Sequence, residues 1–176
     1  MFLDRLLKPR PARIAGEKLY ASAVAQARSA RFYADLGVRD SLEGRFELFT
    51  LHVVLLVERL KGQGDLASET SQAVFDSYVR GLDDAFREIG VSDTAVGKKM
   101  KKLAGAFYGR LKTYDEAFET LPDAAGLDAA LARTVFEERG EGDIAAVSAY
   151  VRSAREALAG QSLNDLLNGV VQWPNV

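Results

Sequence analysis

The chain has no cysteine, one histidine, four prolines and almost no net charge, with 23 basic against 25 acidic residues among 176. Each scarcity removes a class of chemistry. Without cysteine there is no disulfide, no thiolate metal site and no cysteine nucleophile. One histidine leaves no His-rich metal centre and little scope for imidazole catalysis, although carboxylate chemistry stays open. A net charge of -2 argues against a dedicated nucleic-acid binder, unless that charge is unevenly spread. Long apolar runs are missing too. The longest, LFTLHVVLLV at 48–57, is about half of a bilayer span and includes a threonine and the histidine. The N-terminus MFLDRLLKPRP has neither the apolar core nor the small-residue cleavage site of a signal peptide. These features predict a soluble, cytoplasmic protein without metal or cofactor.

What is abundant points to helices. The chain holds 26 alanines and 22 leucines, the residues of best helix propensity. Its prolines stand at 9, 11, 122 and 174, so 12–121 is uninterrupted. The expected fold is all-α, a single compact domain of about six to seven helices. Residues 1–12 read as a short amphipathic basic segment, 13–121 as the helical core, and 122–176 as acidic helices packed on the same domain. Helices are expected over 12–29 (Leu19, Tyr20 and Val24 on one face), 41–61, 66–89 and 93–119. The stretch RFYADLGV reads as a turn, and GQGD at 62–65 as a loop. The stripe of the 66–89 helix is Phe75, Tyr78, Leu82, Phe86 and Ile89. Beyond Pro122 come two amphipathic helices, a short one at 162–168, and the tail WPNV.

Two corners echo each other: GVRDSLEG (37–44) and GVSDTAVG (90–97) share G-V-x-D-[ST]-x-x-G. Gly37 and Gly90 suit the left-handed residue that closes a helix, and Asp40 and Asp93 suit the N-cap of the next. Asp40 with Glu43 also resembles a capping box. Similar corners account for the echo better than duplication does, since short matches carry little weight.

The small net charge hides a segregation. Residues 1–31 hold Arg5, Lys8, Arg10, Arg13, Lys18, Arg28 and Arg31 against Asp4 and Glu17, a net of +5. Residues 94–114 hold Lys98, Lys99, Lys101, Lys102, Arg110 and Lys112 with no acid, a net of +6. Residues 115–143 hold nine acids against Arg133 and Arg139, a net of -7. On a helical wheel Val96, Met100, Leu103, Phe107, Leu111, Tyr114 and Phe118 form one stripe. Lys98, Lys101, Lys102, Gly105, Gly109 and Lys112 fall opposite, and Tyr108 lies on the flank. Glycine inside a helix costs about 1 kcal/mol relative to alanine, so two on one face call for a cause. Either a partner approaches the backbone there, or another helix of the same domain does.

His52 lies in the second long helix, which is apolar on two sides and therefore central. Arg45, His52 and Arg59 recur every seven residues along one edge. That edge could receive a carboxylate or phosphate; the plainer account is a polar row satisfied by neighbouring acids. The flanking arginines would depress the pKa of His52. Asp83, Asp84 and Glu88 lie one turn from Arg80 and Arg87, which reads as intrahelical pairing. Neither phosphate-loop, dinucleotide-loop nor nucleophile-elbow spacing occurs, and no catalytic residue stands out.

The stretch FYADLGVRDSLEGRFELFTLH (32–52) and its continuation VFDSYVRGLDDAFREIGVSDTAVGKKMKKLAGAFYGRLKTYDEA (74–117) carry a family pattern. Over roughly residues 15–120 the chain resembles the ubiquinol–cytochrome c chaperone family, assembly factors of the respiratory cytochrome bc1 complex. Residues 1–13 and the acidic C-terminal part fall outside the match. The resemblance implies an all-helical, non-enzymatic chaperone that binds newly made cytochrome b. It also implies a second small assembly factor as partner, and ribosome contact in mitochondrial relatives. With no transit peptide, the chain is expected to be a bacterial, alphaproteobacterial member.

A soluble binder of a nascent membrane protein needs an apolar groove beside a cationic surface at the cytoplasmic membrane face. Lys98, Lys99, Lys101, Lys102, Arg110 and Lys112 are the residues expected to form that surface, with Gly105, Tyr108 and Gly109. Phe2, Leu3, Leu6 and Leu7 are candidates for weak insertion into the interface. Two rivals stand beside the chaperone: a ribosome or ribosomal-RNA binder using the 94–114 face, and a helical enzyme acting on a lipid. The last lacks the paired acidic metal motif such chemistry needs.

Overall fold

The computed structural model describes residues 11–88, 90, 93–137 and 142–176. Phe2, Leu3, Leu6 and Leu7 lie outside the described residues, as do the side chains of Val96, Lys98, Lys99 and Ile89. Eight helices form among the described residues: α1 (Pro11–Ala27), α2 (Ala30–Ala34), α3 (Leu42–Leu60), α4 (Asp65–Glu88), α5 (Asp93–Glu119), α6 (Ala125–Arg133), α7 (Ile144–Gly160) and α8 (Leu163–Leu167). The all-α expectation holds. The segment read as the turn RFYADLGV folds instead as the five-residue α2 followed by a bend.

Helix α3 is the axis. Leu48, Thr50, Leu51, His52, Val53, Val54, Leu55 and Leu56 are all fully buried, and a helix apolar on every side has to be surrounded. Helices α1, α4, α5 and α7 surround it. Its first turn is capped by Ser41, whose side chain accepts from the Gly44 amide at 3.1 Å. Asp40 is therefore not the cap, and no Asp40–Glu43 box forms. The Asp40 carboxylate instead accepts from Arg45 at 2.5 Å. Gly37 (φ +72) and Gly90 (φ +80) do adopt the left-handed conformation expected of helix closers.

Small residues set the closest helix pair. Helix α1 buries Ala12, Ala15, Gly16, Leu19, Ala23 and Ala27. A Cβ at Gly16 would lie 2.5 Å from the Ala73 Cβ on α4, so the two backbones meet only because that atom is absent. The buried ridge of α4 is Ala67, Thr70, Ala73, Val74, Ser77 and Tyr78, whereas Phe75, Leu82 and Phe86 are only partly covered. Of the expected stripe, Tyr78 is fully buried and Phe75 and Leu82 pack against the core while partly covered, and the small residues of α4 add a second buried face, toward α1.

The C-terminal helices belong to the same core: Leu127, Leu131, Val147, Val151, Ala154, Leu158 and Leu166 join its cluster. The tail WPNV does not trail away. Trp173 donates to Ser22 at 3.1 Å, Gln26 donates to the Pro174 carbonyl at 3.1 Å, and Arg31 binds the Val176 carbonyl.

Candidate partner-binding surface

The α4–α5 hairpin loses core contact toward its tip. Tyr78 is the last fully buried residue described in α4, and Phe107 the first in α5. Between them Leu82, Phe86, Met100 and Leu103 stay partly covered. On the outer side of α5, Lys101, Lys102, Gly105, Tyr108, Gly109 and Lys112 are exposed. A Cβ at Gly97, Gly105 or Gly109 would meet nothing within 4 Å. Among the described residues, no helix of this domain packs on those glycines. Their backbone is open to whatever approaches from outside. Tyr108 is 59% exposed and rests against Phe75 with ring centroids 5.6 Å apart. The face is therefore cationic, indented at two glycines, and edged by one aromatic ring.

Arg110 leaves this face. It reaches α3 and donates twice to Glu47, at 2.8 and 2.6 Å. Glu47 is 8% exposed, so the pair is a two-pronged internal latch, and that bonding holds the guanidinium pKa above its ordinary value. Lys112 lies 3.7 Å from Glu116 in an exposed pairing. Lys101 and Lys102 have no ion-pair partner among the described residues, and the side chains of Lys98 and Lys99 fall outside what is described.

Arg45, His52 and Arg59 do not form one open edge. Arg45 is exposed and bound to Asp40. Arg59 donates to the carbonyls of Leu158 and Gln161 at 2.7 and 3.1 Å, closing the C-terminus of α7. His52 is completely buried. Its Nδ1 lies 2.7 Å from the Leu48 carbonyl and so carries the proton. Its Nε2 then accepts from the Tyr150 hydroxyl at 2.8 Å, which in turn accepts from Gln26 at 3.0 Å. Burial pushes the imidazole pKa down to about 4, against the Leu48 bond, which favours the charged ring. Desolvation, not the neighbouring arginines, is the cause. Sequence reasoning missed Tyr150 and Trp173 as its partners; Trp173 packs edge-on at 5.2 Å. Of the predicted intrahelical pairs, Arg87–Asp83 forms at 2.8 Å, but Arg80 turns to Glu17 on α1 at 3.4 Å.

No group of three or more His, Cys, Asp or Glu side chains able to hold a metal occurs among the described residues. No helix there is long and apolar enough to cross a membrane.

Comparison with known proteins places the chain among its relatives. A family model described as ubiquinol-cytochrome C chaperone matches residues 34–173, so the match runs through the C-terminal helices rather than ending near residue 120. The chain is 27% identical over 164 residues to ubiquinol-cytochrome c reductase complex assembly factor 1 of Mus musculus, covering 92% of this chain and 55% of that protein. The Homo sapiens protein of that name is also 27% identical, with 92% and 54% covered. The chain thus spans about half the length of these mammalian relatives. The crystal structure of the Cbp3 homolog from Brucella abortus superposes with a TM-score of 0.86 at 33% identity, covering 99% of this chain and 97% of that one.

Proposed function

The chain belongs to the ubiquinol–cytochrome C chaperone family, and from that premise we propose that it is a non-enzymatic assembly chaperone for the cytochrome bc1 complex. Its client is newly made cytochrome b. The family match over residues 34–173 supports the assembly role, and the choice of client is our own reading. The outer face of α5 is the surface we assign to the client, with Lys101, Lys102, Gly105, Tyr108, Gly109 and Lys112 in contact. The chemistry suits that task. A client with apolar helices and anionic lipid around it needs a shallow apolar edge beside cations. Two bare glycines let a helix approach the backbone closely, as small residues do wherever helices pack tightly. On this reading the protein works at the cytoplasmic face of the inner membrane, bound peripherally, together with a second small assembly factor.

Deletion of the protein tests the reading. Cytochrome b should fail to accumulate in bc1 while other respiratory enzymes persist; normal bc1 in the deletion strain would sink it. Complementation with Lys101→Glu plus Lys102→Glu should not restore cytochrome b, although the protein is present at its usual level.

One observation favours a second use of the same face: Lys101 and Lys102 are exposed on one helix side and have no ion-pair partner among the described residues, which also suits ribosomal RNA. Co-sedimentation with ribosomes that falls steeply with salt, and is lost in the same double variant, would support it. No co-sedimentation at low salt would reject it.

A further inference from the structure

Residues 170–176 form no helix, yet they are bound along a groove between α1 and α7. Those two helices make little direct contact, and this strap lies between them, over His52 of α3. Gln161, at the end of α7, pairs with Gln172 in both directions: it accepts from the Gln172 amide at 2.7 Å and donates to the Gln172 carbonyl at 2.9 Å. Gln26 donates to the Pro174 carbonyl at 3.1 Å, and Arg31 donates to that of Val176. Backbone contacts thus recur at every second residue, the period of an extended chain. Between them the Trp173 indole enters the groove, donating to Ser22 at 3.1 Å and packing edge-on to His52 at 5.2 Å.

The groove is complete without its strap. His52 is held by Leu48 and Tyr150, and Tyr150 by Gln26, through bonds that use no strap atom. The strap commits little in return. None of residues 170–176 is fully buried, and apart from the indole the groove grips backbone groups that any extended chain offers. Position 174 gives it only a carbonyl, so proline, which lacks an N–H, is accepted there. About 280 Å³ stays open beside Trp173 and Pro174, against Gln26, Ser29 and Arg31, and a bulkier segment would fit. Gly169 (φ +78) pins the near end, since a Cβ there would lie 2.7 Å from that of Lys18.

We propose that the α1–α7 groove is a peptide-binding site which this chain's own residues 170–176 hold shut, and that an extended segment of a partner protein, presenting an aromatic residue followed by proline, takes their place. The ring enters over His52, the backbone pairs with Gln161 and Gln26, and a flanking side chain fills the space beside Ser29. The site is separate from the α5 face and stands or falls apart from client binding there.

Fluorescein-labelled GVVQWPNV, the sequence of residues 169–176, is the probe, read by anisotropy against the full chain. Trp173→Ala, which vacates the aromatic position, should bind it at least about tenfold more tightly than wild type. The reason is that a strap on so short a tether competes at a roughly millimolar effective concentration. Adding Gln161→Ala to that variant should abolish binding, as should alanine at the tryptophan position of the probe. A second measurement uses wild type itself. Trp173 is its single tryptophan, so millimolar GVVQFPNV, which has none, should shift its emission to the red as the strap leaves. In cells, benzoylphenylalanine at Ser29 should crosslink a peptide of another protein that contains an aromatic–proline pair. Lys101→Glu plus Lys102→Glu should change none of these results. Equal probe affinity for wild type and a folded Trp173→Ala, no red shift in wild type, or a Ser29 adduct that is absent, confined to copies of this chain or lacking that pair each overturns the proposal.

Discussion

Buried polar side chains make the strongest demands at the scale of the residue. His52 is neutral in the folded protein, with its pKa lowered from 6.5 to about 4 by burial. The unfolded chain therefore binds more protons between those two values. The stability that depends on a neutral ring is complete above pH 6.5 and is lost as pH falls toward about 4. From pH 7 to pH 5 the loss due to this residue is about 2 kcal/mol. Urea denaturation of wild type and His52→Gln at both pH values checks it: the acid loss should be smaller in the variant. The Arg110–Glu47 pair makes a second prediction. Arg110→Met strands a carboxylate that is 8% exposed and should cost about 3 kcal/mol, measured as a lower urea midpoint with unchanged slope. Neither partner was legible beforehand. A helical wheel put Arg110 with the lysines, and the acid that claims it stands 63 positions away in the chain. Tyr150 is 98 positions from His52, beyond the reach of any local pattern.

Among the elements, glycine has opposite meanings in α1 and α5. Gly16 is required by contact with α4, and Gly16→Leu should lower stability by about 3 kcal/mol through overpacking. Gly105 and Gly109 face open space, so replacing both by alanine should raise stability by up to about 2 kcal/mol. Thermal or urea unfolding distinguishes the signs. If α5 grips the client through its bare backbone, the stabilised double alanine variant should nonetheless accumulate less bc1. Composition alone could not separate the cases: a glycine in helical sequence looks the same whether a neighbour touches it or nothing does. Helix α3 was readable because its apolar residues face every direction, and the loop at 62–65 because two glycines interrupt the pattern. Helix α2 was not, being five residues long and held by its surroundings, with Phe32 fully buried.

Across the whole molecule, burial is uneven. Helix α3 is wrapped on all sides, whereas toward the α4–α5 tip the described apolar side chains of Leu82, Phe86, Met100 and Leu103 are only partly covered. Native-state hydrogen exchange should follow that gradient. Amides of Leu51–Leu56 should open only with global unfolding, and those of 82–88 and 100–104 at clearly lower free energy. Equal protection in both segments would mean the tip is as firmly held as the axis. A low-stability tip beside an open cationic face suits a surface that must adapt to a client.

The sequence by itself determined the class of fold, the run of long helices, the segregation of charge and the lack of cysteine chemistry, because propensity, periodicity and composition are local or additive properties. It also carried the family pattern in residues 32–52 and 74–117. Only the tertiary structure decided which charges are free. It withdrew Arg110, Arg59 and His52 into internal bonds, left Lys101 and Lys102 outside, set the small residues of α4 against α1 and folded the tail over α1. Those outcomes depend on pairs of residues far apart in the chain, and an ion's availability is fixed by what lies beside it in space.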